Sequence, residues 1–304
     1  MRIVSLLPSA TEILFAVGAG DDVVGVTFEC DHPPEARSRR IVSTSALPEG
    51  GRASPAEIDR LVTERMAAGE DLYHLDRSAL AGLDADLVVT QDLCAVCAVD
   101  VGTVHDALEY LACRADVLTV DPETLPEVLD SIITIGTAAG GHCRARAEQL
   151  VAGLSARLDA VRAEVSRDPG TAPVPALVLE WTDPPFAPGH WVPDMVEAAG
   201  GSCVVGRSGE RSFRTGWEEL VAGPAATADV VVCAPCGFGL DESARLAAEI
   251  ADRLPAGVPL WAVDANASFA RPGPRLVDGV EALAGILHPG VVGAPDPSLA
   301  RRIR

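Results

Sequence analysis

Between His142 and Arg167, apolar residues recur at steps of three and four: Cys143, Ala147, Leu150, Val151, Leu154, Leu158, Val161 and Val165. That period puts them on one stripe of an α-helix. Arg144, Arg146, Glu148, Arg157, Asp159, Arg162 and Glu164 fill the other faces, with Gly140-Gly141 before the run and Asp168-Pro169-Gly170 after it. At about 1.5 Å per residue the helix spans roughly 36–39 Å. It stands at the centre of the chain, between two segments that each alternate strand and helix patterns. It therefore reads as a spine joining two lobes.

The first segment offers strands at Ile3–Leu7, Val23–Phe28, Arg40–Ser43, Leu87–Thr90 and Val117–Val120. Helices fit between them. Ser9-x-x-Glu12 has the spacing of a capping box before Ile13, Leu14 and Val17. Ser54 and Pro55 open a helix over residues 55–67, whose predicted buried stripe is Ile58, Leu61, Val62 and Met66. Short helices follow Asp76 and cover Thr103–Leu111, and a longer one spans Leu125–Ala139 before the spine. The second segment offers strands at Ala176–Glu180, Cys203–Val205, Val230–Cys233 and Pro259–Val263. Its helices fall at Pro193–Ala199, Gly216–Val221, Asp241–Leu254 and Leu276–Leu287. Such alternation predicts an α/β fold: two Rossmann-like lobes with mainly parallel sheets. The expected division is an N-terminal lobe (1–121), a helical linker with the spine (122–170) and a C-terminal lobe (171–304).

Composition narrows the function. The 304 residues carry a formal net charge of −20, with 22% charged residues and only 4% aromatic ones. An acidic surface of this kind disfavours binding to nucleic acid or anionic lipid. The apolar start Ile3–Leu7 resembles a secretory leader, but Pro8 and Glu12 interrupt it, so residues 2–7 are read as a strand and the chain as cytoplasmic. In that reducing compartment its eight cysteines point to metals, catalysis or packing rather than disulfides.

In parallel sheets, ligands collect beyond the carboxyl ends of the strands. Those tips hold the candidate chemistry. Cys94-Ala95-Val96-Cys97 and Cys233-Ala234-Pro235-Cys236 each follow a strand, and Cys30 and His32 stand at a third tip. C-x-x-C brings two thiolates close enough to share zinc or an iron centre. The other readings are pocket lining, core packing and a redox dithiol. Cys113, Cys143 and Cys203 read as packing residues. Five of the twelve aromatics, Trp181, Phe186, Trp191, Phe213 and Trp217, lie between positions 181 and 217, among Pro184, Pro185, Pro188 and His190. A strand tip rich in Trp and Pro makes a stiff apolar wall for a large flat ligand. Phe213 and Trp217 read as lobe core. No Walker loop, G-x-S-x-G, H-E-x-x-H or G-x-G-x-x-G is present.

Several runs together resemble a known family. They are RIVSLLPSATEILFAVGAG from Arg2, VGVTFECDHP from Val24, LVVTQDLCAVCAV from Leu87, EWTDPPFAPGHWVP from Glu180 and FARPGPRLVDG from Phe269. The chain resembles cobalamin-binding proteins of the helical-backbone substrate-binding class, the receptors of metal-chelate and corrinoid ABC importers. The last three runs match a signal-less subgroup. The resemblance implies two α/β lobes bridged by a long helix, with one ligand in the cleft between them. It implies a binding protein for cobalamin, another corrinoid or a similar metal chelate; the exported members carry a leader, and the reading of residues 2–7 as a strand instead makes this one cytoplasmic and an ABC permease partner unexpected. Trp181, Phe186, His190 and Trp191 would contact the macrocycle, with Phe238 and Phe269 beside them. Ser9, Gln91 and Arg271 would meet its amide groups. The rival readings are a zinc or iron centre on Cys30, His32, Cys94, Cys97 and Cys236, or an enzyme using the same cleft.

Overall fold

The computed structural model describes residues 1–47, 53–91, 101–110, 114–167 and 172–304. They form two compact units: Met1–Pro122 with Leu129–Ala152, and Glu123–Val128 with Gly153–Arg304. No helix among the described residues is long and apolar enough to cross a membrane.

The first unit contains, in order, β1 (Ile3–Ser5), α1 (Pro8–Ala16), β2 (Val23–Thr27), β3 (Arg40–Ser45), α2 (Pro55–Ala68), β4 (Tyr73–Leu75), α3 (Arg77–Leu80), β5 (Leu87–Thr90), α4 (Val101–Tyr110) and β6 (Asp116–Thr119). Its sheet runs β4-β3-β2-β1-β5-β6 and is parallel except for β4, which lies antiparallel on β3. β1 is a central strand, fully buried, and Val4 packs with Leu6, Val42, Leu72, Val88 and Leu108 in the core of this unit. Residues 3–5 are thus integral to the sheet.

Two sequence expectations change here. Ser9 lies inside α1 and is buried; Leu7 occupies the N-cap without a side-chain bond, because Pro8 takes the first helical position. The capping box is not formed. Ser54 does cap α2, accepting from the Glu57 N–H at 3.3 Å, but the apolar face of α2 is only half covered and Met66 is 50% exposed.

Helices α5 (Leu125–Ala138) and α6 (Cys143–Val165) are each divided between the units. α6 has 23 residues, about 35 Å. All eight residues of its predicted stripe are buried or half-buried. Its second half is tied to helix α12 (Leu276–Leu287) by Arg157, which donates to Glu281 at 2.8 and 2.7 Å and to Asp278 at 2.6 Å.

The rest of the second unit is β7 (Val174–Leu179), β8 (Trp181–Thr182), β9 (Pro185–Ala187), α7 (Val192–Ala198), β10 (Gly201–Cys203), β11 (Phe213–Arg214), α8 (Trp217–Ala222), α9 (Pro224–Thr227), β12 (Val230–Cys233), α10 (Leu240–Ile250), β13 (Leu260–Val263), α11 (Ala265–Ser268), α12 and β14 (Ala300–Arg302). Its main sheet, β10-β7-β12-β13-β14, is parallel except at β14. Leu177, Leu179, Val231, Cys233, Leu246 and Leu260 are fully buried or nearly so between the sheet and its helices. The two α/β sheets are those that the alternating pattern predicts. A third, small antiparallel sheet, β11-β9-β8, grows from the end of β7.

Candidate functional site

The pairing of β12 with β7 sets Cys233 opposite Leu179, and that of β12 with β13 sets Cys233 opposite Ala262. Three strands therefore end level, and the residues that follow them share one rim. The loop after β12 continues along the chain after β7. Ala234 N–H donates to the Leu179 carbonyl at 2.9 Å, and Cys236 N–H donates to that of Glu180 at 3.0 Å. This brings Phe238 to Trp181, with ring centroids 5.5 Å apart and planes tilted by 36°. Asn266 N–H donates to the Phe238 carbonyl at 3.0 Å, which fixes the loop from its other side.

Immediately beyond Glu180 the chain folds into the hairpin β8–β9, with Trp181 opposite Phe186 and a cis Asp183–Pro184 bond at the turn. Thr182 and Pro185 are buried, whereas Trp181, Phe186 and Phe238 each keep part of their surface in solvent. The Arg214 guanidinium lies 5.9 Å from the Phe186 ring centroid. The result is a patch of three aromatic side chains edged by a cation. It is an apolar face of the type that takes flat, polarisable molecules.

Gly189 and His190 follow, pressed against the segment that leads into β11. The His190 N–H donates to the Glu210 carbonyl at 2.6 Å, and Gly209 N–H donates back to the His190 carbonyl at 3.1 Å. A Cβ at Gly189 would overlap the Ser212 nitrogen and stand 2.5 Å from the Glu210 oxygen, so only glycine permits this approach. His190 has φ +49°, left-handed for a non-glycine residue. Its Nε2 is buried without a hydrogen-bond partner, and burial pushes its pKa down, so the ring is neutral at pH 7.

Beneath this junction lies Glu180. Its Oε1 accepts from Gly189 N–H at 3.3 Å, its carboxyl accepts from the Ser212 hydroxyl, and burial pushes its pKa up to about 7. Its backbone N–H donates to the Phe186 carbonyl at 3.1 Å. The Cys203 thiol is pushed up to about 12 by burial and then by the charges of Glu180 and Asp194, so it stays protonated.

The other expected site residues differ in burial. Trp191 is 7% and Phe269 2% exposed, and the Trp191 indole N–H donates to the Phe269 carbonyl at 2.8 Å. Arg271, Gln91 and Ser9 are buried. Trp217 does pack on the core of its unit, with Arg253 5.3 Å from its ring centroid. Phe213 does not; it sits on the short outer strand β11 and is 45% exposed. Cys94, Cys97 and Cys113 lie outside the described residues. Cys30 is buried in the first unit, where the Thr11 hydroxyl donates to its sulfur at 3.0 Å. His32 and Cys236 are exposed. Among the described residues, no three His, Cys, Asp or Glu side chains form a group suited to a metal ion.

Sequence reasoning overlooked Phe28 and Tyr73 at the rim of the first unit. Their ring centroids are 6.0 Å apart, Phe28 is 39% exposed, and the Tyr73 hydroxyl donates to Glu29 at 3.2 Å. Phe28 directly follows β2, which is the signal that could have found it.

Chains of known structure share this fold. A periplasmic heme binding protein from Pseudomonas aeruginosa is 18% identical, with a TM-score of 0.70 over 98% of this chain and 96% of that one. The periplasmic vitamin B12 binding protein BtuF of Vibrio cholerae is 19% identical, with a TM-score of 0.60 over 94% and 96%. The periplasmic heme-binding protein RhuT from Roseiflexus sp. RS-1 is 23% identical, with a TM-score of 0.63 over 95% and 98%. At such identities the likeness is one of fold. No curated protein sequence matches the chain. The family model described as periplasmic binding protein matches residues 72–259, more than half of the sequence. This chain belongs to the periplasmic binding protein family.

Proposed function

We propose that the protein binds a flat metal-chelating macrocycle, a corrinoid such as cobalamin first and a heme second. The carrying observation is the aromatic patch of the second unit, where Trp181 and Phe238 pair at 5.5 Å beside Phe186 and Arg214. Heme- and vitamin B12-binding proteins among the neighbours of like fold support the same ligand class. Trp181, Phe186 and Phe238 would stack on the macrocycle; the His190 ring lies 5.6 Å from that of Trp191, and its Nε2 is buried without a hydrogen-bond partner. The neighbouring Trp191 and Phe269 would support this face from within the core. The binding role needs no catalytic step.

Titration with cyanocobalamin and with hemin, followed by tryptophan quenching, tests this reading. Saturable one-to-one quenching by either compound, weakened in Trp181→Ala, supports it; the absence of binding by both removes it. We also propose a cytoplasmic location, in keeping with a sequence that carries eight cysteines. Fractionation of the native cell should find the protein inside; its recovery in the exported fraction would contradict this.

A further inference from the structure

We infer that Glu180 is a positioning residue of the aromatic patch, a side chain that ties the Gly189 turn and the approach to β11 together at the foot of the hairpin. The inference rests on the ligand-binding reading above and adds to it a residue that touches no ligand.

Four segments meet at Glu180. Its backbone N–H closes the β8–β9 hairpin through the Phe186 carbonyl, and its carbonyl receives the Cys236 N–H of the loop that carries Phe238. Its carboxyl accepts from Gly189 and from Ser212, which lie on the two backbones whose contact excludes any Cβ at Gly189. Ser212 immediately precedes β11, which bears Arg214 and pairs with β9 through Arg214 and Phe186. The carboxyl thus bridges the turn after the hairpin and the strand that supplies the cation. The backbone bonds persist whatever the side chain. The two carboxyl bonds exist only while position 180 offers an acceptor.

A half-buried acceptor between two donors also cannot be deleted cheaply, because Gly189 N–H and the Ser212 hydroxyl would lose their partner. Those segments would relax, and a patch loosened by a fraction of an ångström loses its fit to a rigid ligand.

The test compares Glu180→Leu, which removes both acceptor oxygens, with Glu180→Gln, which keeps one. The readouts are near-ultraviolet circular dichroism of the ligand-free protein and affinity for cyanocobalamin and hemin. Glu180→Leu should alter the aromatic dichroism, the alteration should vanish in a Trp181→Phe background, and affinity should fall about tenfold. Glu180→Gln should restore both to within about threefold. A folded Glu180→Leu protein with unchanged dichroism overturns the inference. If Glu180→Leu does not fold, Ser212→Ala decides, with a smaller change of the same kind in support and none against. If the wild-type protein binds neither compound, the ligand reading fails, and the dichroism comparison alone still supports or overturns the role of Glu180.

Discussion

The Trp191 indole N–H is bonded to the Phe269 carbonyl at 2.8 Å, and both side chains are buried. The bond joins the N-cap of α7 to the end of α11, the two elements that flank α12. Trp191→Ala should therefore act on stability, costing about 3–5 kcal/mol in urea or guanidinium unfolding. Trp191→Phe should cost less, about 1–3 kcal/mol, since it keeps most of the volume and leaves one carbonyl without its donor. A Trp191→Ala protein as stable as wild type would refute the packing role.

Trp181 should behave in the opposite way. Its ring is partly in solvent and faces Phe238. Trp181→Ala should weaken macrocycle binding by about 2–4 kcal/mol, as loss of an aromatic anchor does. Its unfolding free energy should move by less than Trp191→Ala moves it. Isothermal titration and denaturant unfolding of the two variants, run side by side, check the reversed ranking.

The ionisation of Glu180 should be visible in stability. Its folded pKa is about 7, above the ordinary 4.5, because burial disfavours the charge. Below the ordinary value both folded and unfolded states carry the proton, and nothing is lost. Between about pH 4.5 and 7 the unfolded chain gives up a proton that the folded protein keeps, so this group's contribution falls as pH rises, then levels off. Glu180→Gln removes that loss. Relative to wild type it should gain on the order of 2–3 kcal/mol between pH 4.5 and pH 8. Unfolding curves for both proteins across that range measure the difference; parallel pH profiles would contradict the raised pKa.

Much of this fold is legible in the residues. The 3.6-residue period of Cys143, Ala147, Leu154 and Val161 marks α6 because a long helix needs a continuous buried stripe. Continuous apolar runs such as Val230–Cys233 mark strands covered on both faces. The antiparallel edges β4 and β14 give no such signal. Each is three residues long, and β14 carries two arginines, as an edge facing water tolerates. The hairpin β8–β9 escapes for a related reason: two-residue and three-residue strands show no periodicity, and only the end of β7 places them.

The aromatic cluster itself is readable, but its division is not. Trp181 and Trp191 look alike in sequence; a hydrogen bond to Phe269 turns one inward, while the hairpin turns the other toward Phe238. Glu180 is hidden for the same cause. Its role depends on Gly189 and Ser212, which only the folded chain brings to one carboxyl.

The most direct test of the ligand reading is the absorption spectrum of the purified protein, recorded before and after addition of cyanocobalamin or hemin, with metal content measured on the same sample. The reading predicts macrocycle bands that stay with the protein through gel filtration, in one-to-one ratio with cobalt or iron, and that are lost in Trp181→Ala. Stoichiometric zinc or iron without a macrocycle, released by Cys97→Ser and indifferent to Trp181→Ala, would contradict it.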